Sequence, residues 1–238
     1  MNTHLTELYA SAAIVIGAGL SVLSAVAPLP DGGGARDRNL LRVTAAAWAR
    51  RPRVTPVLLV AVALSALLQY AVPGYADAIQ RTPGTLSDGQ WWRLITALFD
   101  QSSGAMQITV NLAALLGAGA VAEWALGPAR WLLVFLGSGV AANVVSVESW
   151  SRHGGGCSVA ICGLVAAVAV TVLLRGGSPA LPAAARRRSM VLAALVPAAG
   201  VFLCVIHNNH GMGLVAGAVL AVPLVLSARP GSLRLGLG

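Results

Sequence analysis

Polar and apolar positions fall into long blocks, with no period-two alternation of the kind that marks half-buried strands. Seven apolar blocks approach the roughly 17–25 residues that a helix needs to cross a bilayer. They cover about 8–28, 54–73, 105–124, 130–147, 156–174, 190–206 and 210–227. The shorter ones suit tilted or broken helices. The pattern predicts an all-α, polytopic membrane protein of one domain, with nothing left for a soluble domain longer than a loop. The segment "NLLRVTAAAWARR", 39–51, sets Leu40, Leu41, Val43 and Trp48 among arginines. It predicts a short helix lying in the membrane interface. The first block is read as a retained span rather than a cleaved signal peptide. Its leading region has no Arg or Lys, Glu7 is acidic, and Pro28 follows the small-residue "AVA".

Two connections are long. Residues 175–189 are rich in Pro, Ala and Arg. Residues 74–104 carry Trp91, Trp92, Leu94, Ile95, Leu98 and Phe99, which a solvated loop does not need. Tryptophan favours the membrane interface, so this connection is expected to form a structured flap in the outer leaflet beside the helices.

Composition agrees with lipid as the solvent. The chain is 57% apolar and 10% charged, against about a quarter charged in soluble domains. All 16 basic residues are arginines. With seven crossings, thirteen fall on one side: Arg36, Arg38, Arg42, Arg50, Arg51, Arg53, Arg130, Arg175, Arg186, Arg187, Arg188, Arg229 and Arg234. Three fall on the other: Arg81, Arg93 and Arg152. The positive-inside rule makes the first side cytoplasmic and puts the N-terminus outside. The net charge of +8 is thus a topological signal and implies no nucleic-acid partner. Cys157, Cys162 and Cys204 are odd in number and lie in or beside apolar helices, which suggests packing residues and no disulfide frame.

Polar groups inside spans need partners and are functional candidates. Ser158 and His210 open the fifth and seventh blocks at the external end. Asn111 lies near the external end of the third, with Gln107 one turn earlier on the same face. Topology thus places a hydroxyl, an imidazole and two amides in one leaflet. Each has a plain alternative. The serine could pack or bond back to its own helix, the histidine could be interfacial, and the amides could hold helices together. His207 and His210 lack further Cys, Asp or Glu at ligand spacing, so no metal and no cofactor is expected. Gly213 and Gly217 form a GxxxG face below His210, and Gly156 and Gly163 flank Ser158. If those faces meet, the histidine can accept the serine proton and activate a nucleophile. N–H groups at the start of the serine helix and the Asn111 amide can then stabilise an oxyanion.

These residues resemble the rhomboid intramembrane serine proteases over roughly 54–227. "GQWWRLITALF" is similar to the family's Trp-Arg loop, with Trp92 and Arg93 at the paired positions. Residues 106–145 resemble the second and third core helices, including Glu123 and the Gly127 turn. "GCSVAICGL", 156–164, resembles the glycine-x-serine-glycine motif, and "HGMGLVAG", 210–217, the last core helix. The resemblance implies a six-helix core over 54–228. Before it stand an N-terminal transmembrane helix and basic linker, 1–53; after it comes a cytoplasmic tail, 229–238. It implies Ser158 as nucleophile, His210 as general base, and Asn111 and Gln107 on the oxyanion side. Trp92, Arg93, Glu123, Gly156, Gly163, Gly213 and Gly217 take structural roles. It further implies a multi-pass protein of a bacterial plasma membrane that cuts transmembrane proteins near the outer face. The alternative is an inactive relative that binds membrane-protein clients. Two departures bear on this. Gln107 stands where the family usually has histidine, and Val159 where it has glycine. A β-branched residue there adds bulk where the serine and histidine helices meet. A transporter would show an internal repeat or a mid-membrane charge, and neither is present.

Overall fold

The computed structural model describes residues 3–28, 39–101, 103–179, 181–229 and 231–235, with side chains from residue 15 onward. Most of the basic linker, including Arg36 and Arg38, lies outside the described residues. The protein is all-α, and no strand occurs among the described residues. We number the helices α1 (Thr3–Val26), α2 (Leu40–Ala49), α3 (Val54–Ala71), α4 (Tyr75–Ile79), α5 (Arg93–Thr96), α6 (Ala105–Leu126), α7 (Pro128–Trp150), α8 (Ser158–Arg175), α9 (Ala183–Val205) and α10 (Asn209–Leu226). Six of them, α3 and α6 to α10, are long and apolar enough to cross a membrane. The chain is thus a multi-pass integral membrane protein. The helix α1 packs chiefly along α9 and also touches α8.

Sequence and structure differ at some helix ends. The arginine run 186–188, expected in a loop, lies in the first turns of α9, which starts at Ala183. Alanine and arginine are both strong helix formers, so the helix continues past its apolar part. Two described tail residues are bonded to the bundle. Arg234 N–H donates to Ala125 O (3.0 Å), and Ser178 Oγ donates to Leu235 O (2.8 Å), with Leu235 buried.

The helix α8 is the most buried of the spans. It packs most closely on α10 through glycine. A Cβ on Gly217 would overlap Gly163 O and Cα, and one on Gly213 would overlap Val159 O. The expected meeting of the two small-residue faces is therefore present as backbone-on-backbone contact.

The far end of the bundle, away from Ser158, is held by two polar devices. Glu123 in α6 is 4% exposed, and its carboxyl group caps α3 from outside that helix. Oε1 accepts from Arg53 N (2.6 Å) and Val54 N (2.9 Å); Oε2 accepts from Thr55 N (2.8 Å) and Thr55 Oγ1 (2.7 Å). A helix leaves its first N–H groups without intrahelical partners, and in lipid those groups have no water to turn to. Glu123→Ala should therefore cost about 3 kcal/mol, since it strands several buried donors at once. Denaturation in micelles that stays within ~0.5 kcal/mol of wild type, the range of an ordinary surface change, would show that the cap is dispensable.

The second device is a widened turn in α6, Leu115–Gly119, where bonds run one residue longer than in an α-helix. Its carbonyls are taken up by two indoles. Trp48 Nε1 in α2 donates to Leu116 O, and Trp131 Nε1 in α7 donates to Gly119 O, both at 2.9 Å. The interfacial helix expected at 39–51 is thus fastened to α6 by its tryptophan, while Leu41 is 82% exposed.

Candidate active site

The site forms where three chain segments converge: the connection 72–104, the glycine loop 151–157, and the turn between α9 and α10. The first of these is a folded flap, as its apolar content suggests. Leu94, Ala97 and Leu98 are buried, while Trp91 and Trp92 stand exposed on its outer side. Arg93 braces it internally. Its Nη1 donates to Asp77 O (2.6 Å) and Gln80 O (2.7 Å), and its Nε donates to Gln90 Oε1.

The flap is bonded to the glycine loop. Arg81 and Gly154 exchange backbone hydrogen bonds (3.1 and 3.2 Å), and Gly156 N–H donates to Ala97 O (2.7 Å). The Arg81 side chain is 3% exposed. It donates to Asn143 Oδ1 (2.9 Å), Ser151 O (2.8 Å) and Ser151 Oγ (3.2 Å). Burial lowers the Arg81 pKa from its ordinary value, and the charge of Asp100 opposes that shift. Asn143 Nδ2 in turn donates to Leu94 O (2.8 Å). The glycines in this loop are a matter of space. A Cβ on Gly155 would overlap Ala97 O, and Gly156 has φ +132° with its open side against Gln107 Nε2. Only a chain without side chains passes between the flap and α6 at this depth.

The loop delivers Ser158 to the first position of α8. Across from it, α9 ends in a tight corner. His207 takes the left-handed conformation (φ 56°). Asn208 N–H bonds to Leu203 O (2.9 Å) and His207 N–H to Cys204 O (3.0 Å), the bonding pattern of a Schellman motif. Asn208 then caps α10, accepting from His210 N at 3.0 Å. The corner places His210 Nε2 at 2.9 Å from Ser158 Oγ. His210 Nδ1 lies 2.9 Å from Asn208 Oδ1. Val159 is buried beside the serine, and the 2.9 Å pair forms with valine in place.

The two α6 amides lie against the glycine loop. Gln107 Nε2 donates to Gly155 O (3.0 Å), and its Oε1 accepts from Ser103 N (2.9 Å). Asn111, 2% exposed, donates from Nδ2 to Gln101 Oε1 (2.8 Å). Each amide NH₂ carries two hydrogens, so each keeps one beyond the bond named. All four residues singled out in the sequence thus gather at one end of the bundle. Three members of the surroundings escaped the sequence reading: Asn208, Gln101 and Arg81. Of these, Asn208 carried a local signal, since Asn just before a helix start is a capping preference.

A profile described as "Rhomboid domain" matches residues 88–227, more than half of the chain. This chain belongs to the rhomboid family. A Bacillus subtilis (strain 168) relative named "Putative rhomboid protease YdcA" is 32% identical over 132 residues. That alignment covers 52% of this chain and 66% of the relative, just under two thirds of its length. The family is one of intramembrane proteases, and the matched region of this rhomboid holds the flap from Asp88 onward, α6 to α10, Ser158 and His210.

Proposed function

We propose that this rhomboid is an intramembrane serine endopeptidase, with Ser158 as nucleophile and His210 as general base. The observation that carries the reading is the 2.9 Å contact between Ser158 Oγ and His210 Nε2. In this mechanism Nε2 takes the hydroxyl proton as Oγ attacks the scissile carbonyl carbon. The imidazolium returns that proton to the leaving amine, which leaves an acyl-enzyme. Water, activated by the same nitrogen, then releases the acid and restores the serine. The oxyanion is met by neutral donors. Ser158 opens α8, so its N–H is among those a helix leaves without intrahelical partners. Asn111 and Gln107 each bring a spare amide hydrogen to the same end. Preorganised donors of this kind act most strongly where water is scarce.

The substrate in this proposal is a transmembrane protein whose helix can unwind near its outer end, reached through the lipid. The proposed frame keeps an N-terminal unit 1–53, a six-helix core 54–228 and a tail 229–238, in a bacterial plasma membrane with the N-terminus outside. Orientation is checked with Ser87→Cys and Ala185→Cys, both at exposed positions, in a background lacking the native cysteines. An impermeant thiol reagent added outside should label only Ser87→Cys; labelling of both would overturn the orientation.

A second reading, a client-binding relative without catalysis, is favoured by Gln107 and Val159, which depart from the family's pattern. A fluorophosphonate probe in detergent separates the two. The protease reading expects labelling of wild type that Ser158→Ala removes. Absence of labelling and of turnover in wild type would leave the client-binding reading.

A further inference from the structure

We infer that Asn208 is a positioning residue for His210, holding the ring so that its basic nitrogen faces Ser158; this rests on the Ser158–His210 reading. The argument starts from an atom that accepts twice. Asn208 Oδ1 lies 3.0 Å from His210 N and 2.9 Å from His210 Nδ1. A backbone N–H can only donate, so the side-chain atom facing it is the amide oxygen and not the NH₂. The amide therefore cannot be the other way round. That oxygen has no hydrogen to give, so the bond to Nδ1 exists only if Nδ1 carries the proton. In a neutral imidazole the other nitrogen is then the acceptor. Nε2 thus presents a lone pair toward Ser158 Oγ at 2.9 Å, the arrangement in which it can take the hydroxyl proton.

Which ring nitrogen is protonated is set by the bond the other one makes. The Asn208 bond also survives when His210 becomes imidazolium, because Nδ1 keeps its hydrogen throughout. The ring is therefore held in one orientation through proton uptake and release. Asn208 is itself placed by the corner before it. The left-handed His207 and the bond from Asn208 N–H to Leu203 O fix its backbone, and Trp150 lies beside His207 with ring centroids 5.6 Å apart and ring planes tilted by 43°. The arrangement is a serine, a histidine and an amide in line, with the amide supplied from the residue that caps the histidine's own helix.

A capping residue has a structural duty as well, and the test has to separate the two. Serine is as good a helix cap as asparagine, but its oxygen sits one bond nearer the backbone and does not reach the ring. Aspartate caps and also reaches. We therefore expect Asn208→Ser and Asn208→Ala to lose about 100-fold in kcat, the scale of a misplaced catalytic group, with KM within about twofold. Asn208→Asp should recover to within about tenfold of wild type. A serine variant with wild-type kcat, or an aspartate variant no faster than the serine one, would overturn the proposal. Ser158-dependent probe labelling in the same samples reports separately on the dyad. Should wild type neither turn over nor label, the enzyme reading falls, and ¹⁵N-histidine NMR in micelles decides about Asn208. His210, assigned by comparison with His210→Gln, should carry its neutral-state proton on Nδ1 in wild type and Asn208→Asp, and lose that preference in Asn208→Ser. A proton on Nε2 in wild type sinks the inference whatever the activity.

Discussion

Ser158→Ala should abolish cleavage of a membrane-embedded substrate while the protein stays folded. Ser158 Oγ has His210 Nε2 as its neighbour at 2.9 Å, and its removal deletes one oxygen at a helix start without opening the α8–α10 contact. His210→Ala should fall by about 10²–10⁴-fold, the range that a positioned general base contributes. The two changes should not add. A base without its nucleophile has nothing to activate, so the double variant should be little slower than Ser158→Ala alone. Single-turnover cleavage in proteoliposomes measures all three. The opposite pattern would be retained cleavage in Ser158→Ala with loss in Cys157→Ala. It would move the nucleophile one residue back and leave Ser158 as a packing group.

Gly217→Ala should be nearly as damaging, although it lies two turns from His210. Its Cβ would overlap Gly163 O and Cα, and backbone cannot rotate away as a flexible side chain can. The helices must part or shift along each other. Overpacking of this kind costs roughly 1–3 kcal/mol. A displacement of about 1 Å at a reacting centre can cost on the order of 100-fold in rate. Both effects are expected together: a lower melting temperature and a fall in kcat, with probe labelling of Ser158 slowed in parallel. Ala216→Gly, one residue along and also well buried, is a useful contrast, since it removes volume rather than adding it. A Gly217→Ala protein with wild-type stability and rate would mean that the α8–α10 contact is far looser than the backbone separation implies.

The parts of this fold legible in the sequence are those governed by lipid. Apolar block lengths locate six of the seven expected spans, most of them to within a few residues although α9 begins seven positions before its block, and the block order puts Ser158, His210, Asn111 and Gln107 at one depth. The small residues at 163, 213 and 217 pointed to close packing before any distance was known. What stayed hidden was set by polar atoms meeting across the chain. Glu123 was noticed only through resemblance, because nothing in its own helix indicates that it caps α3 some 70 positions earlier. The widened turn at Leu115–Gly119 has no compositional mark; it is recognisable only once Trp48 and Trp131 are seen bonded to its carbonyls. Arg81 is one of three minority charges in the topology count, yet it is buried and pins the flap to the glycine loop. Asn208 is legible as a helix cap, but its reach to His210 depends on a corner in which His207 adopts a left-handed conformation, which sequence pattern does not announce.

The division of polar groups between spans and loops has a consequence for how this protein is made. The side chains that surround the dyad from within the helices are hydroxyls and amides, whereas the ions nearby, Arg81 and Asp100, sit on the connection between helices. A charged residue at the centre of a helix raises its insertion free energy by about 2.5–3.5 kcal/mol, and biogenesis presents helices to the bilayer before their partners are all in place. Among the long spans, carboxylates and arginines lie within the first two turns or the last one, with Glu123 three positions before the end of α6. Each segment can therefore enter lipid as an ordinary apolar helix. The ions of the site, Arg81 and Asp100, are carried by the flap and so add no charge to any spanning segment.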